Sequence, residues 1–242
     1  MAHTLPDYTT KYKLATIFGQ IDTGELAARL FSPISYDRRG NIVFIDTFEE
    51  TTPGWKSTIS GVGGTFTFVN TESYQGNYSM RLNPLNTTGS YVNGYKLIEP
   101  VPLQKIGLEF VCYMENPFTI VDFCIDVNNV NGNYETTIRY TRTGGTVKYL
   151  DSAGNYTLLT GTKSLINGFH NWCHMKLVVD FSKEEYMRAL IADKTFDMTG
   201  LPIKKAAAGT SDYISIRIQS TAEADFPAAL YVDNVIITQN EP

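Results

Sequence analysis

The residues of this chain that could do chemistry are few, and their spacing limits what they can do. Four carboxylates come in two pairs, Glu109 with Glu115 and Asp122 with Asp126. Two carboxylates facing each other across a cleft, one protonated and one ionised, are what glycoside hydrolysis requires. Asp122 and Asp126 stand four apart in a run of alternating apolar residues, so both point to the same side of a strand, with Cys124 between them. Any such pair on a strand does the same, and these two are expected to be solvated surface carboxylates. His170 and His174 have a spacing that suits a metal on a helix, but a strand begins near Asn171. Strand rise then separates them by about 13 Å, too far to share one ion. The three cysteines, Cys112, Cys124 and Cys173, show no C-x-x-C spacing and read as small buried residues. A Cys112–Cys124 disulfide on successive strands stays open at this level, because the sequence does not fix their distance. There is no Gly-x-Ser-x-Gly, and the glycines at 61, 63 and 64 lead into neither a lysine nor a helix. No residue is assigned a catalytic, cofactor or metal role, and the chain is expected not to be an enzyme.

Aromatic side chains are the other candidates. Exposed rings beside a few polar groups are how proteins stack on sugars, and Trp55, Tyr74, Tyr91, Tyr95, Tyr134 and Tyr156 all lie near expected turns. They would serve a protein interface equally well.

The elements that must hold these residues are strands. Ile42–Glu49 and Tyr231–Thr238 are rich in β-branched and aromatic residues, each with a central Asp, and are expected to pair as first and last strands of one closed unit. Between them, strand patterns recur at 55–59, 65–70, 78–82, 95–99, 106–114, 118–127, 134–141, 146–151, 156–160, 172–181, 186–191 and 213–220. In 118–127 one face is apolar and the other carries Asp122, Cys124 and Asp126; in 172–181 both faces carry apolar residues, which places that strand centrally. The rhythm, without a long amphipathic helix, signals two packed antiparallel sheets over residues 41–242.

Residues 1–40 differ in texture. They read as an arm with one short helix in GELAARLF, capped by Asp22 or Thr23 and ended by Pro33. Its own apolar residues, among them Tyr8, Tyr12, Leu14, Ile17 and Phe18, must be buried against the sandwich or a second subunit. At 242 residues, 43% hydrophobic and 12% aromatic, the chain can build a core without disulfides. Its net charge of −5 and isolated Arg38-Arg39 and Lys204-Lys205 pairs argue against a nucleic-acid partner. No run approaches a membrane span, and the N-terminal residues lack the apolar core of a secretory signal, so secretion is expected only if a signal has been removed.

Four stretches in order, DTFEETTPGW (46–55), SYQGNYSMRL (73–82), NWCHMKLVVDFSKEEYMRALI (171–191) and YVDNVIIT (231–238), resemble the concanavalin A-like lectin and carbohydrate-binding-module jelly rolls. The resemblance covers about residues 41–238 and implies an all-β, antiparallel two-sheet jelly-roll sandwich, with the N-terminal arm outside it. It does not by itself imply an activity. The resembling glycosidase families carry Glu-x-Asp-x-x-Glu or a near variant on one strand, and no such string occurs here. Many of the sugar-binding members hold a structural calcium with an acid of the opening strand and the Asp of the closing strand, which would carry over to Glu49 and Asp233; the alternative is that Asp233 caps backbone amides. The segment GELAARLFSPISYDRRGNIVFIDTFEE resembles uncharacterised phage-associated proteins. Together these features lead to the expectation of a non-enzymatic virion component, a capsid decoration or surface protein that uses its arm to contact other copies of itself or a capsid shell. The alternative is a lectin-like carbohydrate-binding module with a glycan partner, and a glycan-cleaving enzyme ranks last.

Overall fold

The computed structural model describes residues 37, 39–50, 53–61, 63–99, 104–165, 171–208, 211–226 and 228–242. The expected arm helix and the apolar arm residues lie outside the described residues. The chain divides into two compact units, Met1–Ser35 and Tyr36–Pro242.

The second unit is a jelly-roll sandwich of two antiparallel sheets. The eight-stranded sheet runs β14 (Lys194–Pro202), β13 (Glu185–Ile191), β12 (Cys173–Asp180), β6 (Lys105–Met114), β17 (Leu230–Gln239), β4 (Ser79–Asn83) and β3 (Thr65–Val69). The strand β1 (Asn41–Asp46) shares the edge of β17 with β4, pairing with its second half. The expected pairing of first and last strands is present, with Ile42 opposite Thr238 and Asp46 opposite Val235.

The nine-stranded sheet runs β11 (Tyr156–Thr162), β10 (Thr146–Leu150), β9 (Ile138–Thr141), β7 (Thr119–Asn129), β16 (Tyr213–Ala222), β5 (Tyr91–Ile98) and β2 (Lys56–Ser60). Beside the far half of β7 lies β8 (Gly132–Glu135), followed by β15 (Lys204–Ala206). The single strand expected at 134–141 is therefore two. The break falls where the Thr136 N–H bonds the Asp126 carboxylate at 3.1 Å and its hydroxyl bonds the Ile125 carbonyl, so that residue leaves the ladder.

One face of each sheet makes the core, as strand alternation dictates. Val121, Phe123, Ile125 and Val127 of β7 face Phe110, Leu108 and Ile106 of β6, with the Phe110 and Phe123 rings edge-on at 5.3 Å. Gly94 of β5 lets side chains of the facing sheet approach its backbone closely: a Cβ there would stand 2.8 Å from the Met80 sulfur and 2.9 Å from the Phe66 ring. Tyr186 is fully buried, yet its hydroxyl donates to the Leu150 carbonyl at 2.9 Å and accepts the Thr137 N–H at 3.0 Å. Its polar end is thus satisfied.

The outer face of the eight-stranded sheet is covered at its centre. Glu109, Lys176 and Arg188 project outward from neighbouring strands, yet Lys176 is 1% exposed. Asp37 from the chain before β1 and Glu241 from the tail after β17 lie over them. The Lys176 ammonium meets Glu241 at 2.8 Å, Asp37 at 3.3 Å and Glu109 at 3.4 Å, and Arg188 bonds both Glu241 and the Pro242 carbonyl. Burial alone would raise the Asp37 pKa. Hydrogen bonds from Arg39 and the charge of Lys176 outweigh it and hold that carboxyl well below its usual range.

Candidate functional site

The outer face of the nine-stranded sheet carries the concentration of polar and aromatic groups that the eight-stranded sheet covers over. Because side chains alternate, every second residue of β5, β16, β7, β9 and β10 points to this face, and antiparallel register lines them up in rows across the strands. One row reads Leu158, Lys148, Arg139, Asp122, Gln219, Asn93 and Thr58. The next contains Cys124, Arg217, Tyr95 and Lys56, with Tyr156 on the same face at the β11 edge opposite Leu150. A third brings together Asp126, Ser215 and Leu97, with Glu135 opposite Lys204 beyond them.

At the β8 end these rows enclose a cavity of about 510 Å³, lined by Tyr95, Leu97, Asp126, Asn133, Glu135, Tyr213, Ser215 and Arg217. Its charges are fixed by contacts within the face. The Arg217 guanidinium donates to the Cys124 sulfur at 3.1 Å and lies 3.6 Å from the Asp126 carboxylate, and Lys204 donates to Glu135 at 2.7 Å. Burial raises the Asp126 pKa to about 6, partly opposed by Arg217 and by the Thr136 N–H and assisted by the negative Glu135. The Cys124 thiol is also pushed up by burial, and proximity to Cys124 and Asp126 raises Arg217. The floor therefore offers a carboxyl acceptor, a guanidinium donor, an amide and a hydroxyl beside two tyrosine rings.

At the other end of the face, Arg139 grips Asp122 with two hydrogen bonds of 2.7 Å and stacks over the Tyr156 ring at 3.8 Å from its centroid. Tyr156 remains 37% exposed. Five strand spacings separate β11 from β5, so the Tyr156 and Tyr95 positions stand roughly 24 Å apart.

Asp122 and Asp126 do share one outward face, but neither is the solvated carboxylate expected from the sequence. Asp122 is 6% exposed and locked to Arg139, and Asp126 is held by Thr136 and Arg217. The cause is the crowding of long side chains from neighbouring strands, which spacing within one strand does not reveal. Of the aromatic candidates, Tyr91, Tyr95 and Tyr156 stand on this face. Trp55 is 7% exposed with its indole N–H on Asp46, and Tyr134 is a core residue. Tyr74 packs on Trp172 and His174 at the other sheet. Tyr213, Arg217 and Glu135 were missed. Their signal was available only in part, as the polar positions of 213–220, since alternation gives the face of a strand but not its neighbours.

Glu49 and Asp233, the acids implied for calcium, both clamp the 72–78 loop. Asp233 accepts the N–H groups of Tyr74, Gln75 and Asn234, and Glu49 accepts those of Asn77 and Tyr78 together with the Asn77 side-chain amide. The donor set is wrong for a cation: the loop turns N–H groups, not carbonyl oxygens, toward both carboxylates. Asp233 is thus an amide cap, with burial raising its pKa to about 6. Among the described residues, no group of three or more His, Cys, Asp or Glu is arranged to hold a metal. Cys112 neighbours Cys173 and not Cys124, which lies on the other sheet and faces outward. The Cys112–Cys124 disulfide is therefore excluded by the fold.

No family model and no curated protein matches the chain in sequence. Solved structures share the fold. A protein of unknown function with a galectin-like fold from Bacillus subtilis has a TM-score of 0.57 at 12% identity, covering 84% of this chain and 97% of that one. The cellulose-induced protein Cip1 has 0.55 at 11%, covering 81% and 96%. A conserved carbohydrate esterase from the Shiga toxin-encoding bacteriophage phi24B has 0.52 at 11%, covering 84% and 100%. At these identities the likeness is one of fold.

Proposed function

We propose that this chain is a non-enzymatic, lectin-like glycan-binding jelly roll whose ligand lies across the strands of the nine-stranded sheet. The observation that carries the reading is the row register, which sets Tyr95 and Tyr213 beside Arg217, Asp126 and Ser215 in one cavity and continues the same face to Arg139 and Tyr156. Sugars present apolar ring faces and outward hydroxyls. Tyrosine rings answer the first, and fixed carboxylate, guanidinium and amide groups the second. Each charged group of the cavity has a partner of opposite sign, Asp126 with Arg217 and Glu135 with Lys204, so the cavity suits a neutral glycan. Its length, roughly 24 Å between the tyrosines at its two ends, suits an oligosaccharide over a single sugar.

The test is a glycan array followed by titration calorimetry on oligosaccharides of increasing length. Affinity is expected to rise with chain length until both ends of the face are occupied. Tyr95→Ala and Tyr156→Ala are each expected to weaken binding by about threefold to tenfold. Absence of saturable glycan binding, or binding indifferent to both substitutions, would sink the reading.

The second reading is a capsid decoration or virion surface component. It is favoured by the sequence of residues 1–40, whose texture differs from the strand-rich remainder of the chain. Its direct test is co-sedimentation of the full chain with capsid shells, which a glycan binder without a shell partner fails.

A further inference from the structure

We propose that Cys112 and Cys173 are a dithiol pair that closes reversibly to a disulfide across β6 and β12. The two residues are direct cross-strand partners, and their sulfurs stand 3.5 Å apart with both thiols free. Residues opposed in an antiparallel pair have Cα atoms about 4.5–5.5 Å apart, inside the range a disulfide accepts. Bond formation needs side-chain rotation and no movement of the strands.

Access is asymmetric. Cys112 is fully buried, while Cys173 is 7% exposed and lines a cavity of about 180 Å³ with Lys163, Ser164, Leu165, Asn171 and Trp172. Burial, reinforced by the neighbouring Cys173, pushes the Cys112 thiol well up, so it is a poor first nucleophile. Cys173 reacts first with a small disulfide RSSR: its thiolate attacks one sulfur, the S–S bond breaks, and one RS⁻ leaves. Cys112 then gives up its proton, and its sulfur attacks Cys173 and displaces the second RS⁻. In sum, two protein thiols lose two electrons and two protons, and RSSR becomes two RSH. Cys124, buried on the opposite side of the molecule under Arg217, takes no part.

The two positions are 61 residues apart in sequence, so the link closes a long loop and restricts the unfolded chain. The oxidised protein is expected to melt at higher temperature than the reduced one, and a dithiol reductant is expected to reverse the shift.

The experiment incubates the folded 242-residue chain with oxidised glutathione and reads intact mass, a proteolytic map and thermal melting. Expected are the loss of two hydrogen atoms from the mass, one cross-linked peptide joining Cys112 to Cys173, and a Cys124 that alkylates only in denaturant. The melting shift is expected to vanish in Cys173→Ala. Should that variant fail to fold, the map on the wild-type chain decides alone. Alkylation of both Cys112 and Cys173 after oxidation and unfolding overturns the proposal, as does a map showing Cys124 in the link or disulfides between chains.

Discussion

Asp126 shows how one residue can trade stability for use. Its folded pKa of about 6 lies above its ordinary value of 3.8, so the native state holds the proton more tightly than the unfolded chain does. This stabilising contribution is complete below about pH 4 and is lost as pH rises to about 6. Asp126→Asn is therefore expected to be more stable than the wild type at pH 7, by up to about 3 kcal/mol, and equal to it near pH 3.5. Urea denaturation at the two pH values checks this. Glycan affinity should move the opposite way, rising in the wild type as the carboxylate ionises through pH 6 and staying flat and weaker in the variant. A variant that binds as well as the wild type at neutral pH would remove Asp126 from the site. Asp37 has the reverse sign: its pKa is depressed, so the stability it contributes at neutral pH is lost on acidification below its ordinary value.

At the level of elements, the 72–78 loop is a segment without a ladder of its own, and two acids on β17 and just after β1 stand in for one. Asp233→Ala removes the acceptor of three N–H groups and is expected to cost about 1–3 kcal/mol, with amide exchange at Tyr74 and Gln75 accelerated ahead of global unfolding. Unchanged exchange at those two amides would show that the loop is held by other contacts. Most strands were legible in the sequence because β-branched runs alternate between turn residues. The strand β14 was not. As an edge strand it leaves Thr195, Asp197, Thr199 and Gly200 exposed, and so little of it is apolar that its pattern resembles a loop. The site was legible only as single faces: Asp122, Cys124 and Asp126 pointed outward as expected. That Arg217 lies against Cys124 is a matter of register between strands 93 residues apart, and no local pattern encodes register at that range.

For the whole molecule, the charged cluster on the eight-stranded sheet ties the chain before β1 and the C-terminal tail to the sandwich through Lys176 and Arg188. Lys176→Met leaves Asp37, Glu109 and Glu241 buried without their shared cation, and is expected to destabilise the sandwich by about 3–5 kcal/mol in chemical denaturation. A loss below about 1 kcal/mol would mean that Arg188 and Arg39 suffice to hold the carboxylates. The tyrosine rows lie on the other sheet, so glycan affinity measured well below the midpoint should be unaffected.

Asp37 and Pro242 both rest on the covered sheet, so a tag fused after Pro242 starts from that side. A bead, a sensor surface or a fused protein joined at the tail approaches from behind, and the open sheet is presented to the surrounding medium. Immobilisation through the C-terminus should therefore preserve ligand access, whereas random coupling through exposed lysines such as Lys56 on the open side should obstruct it.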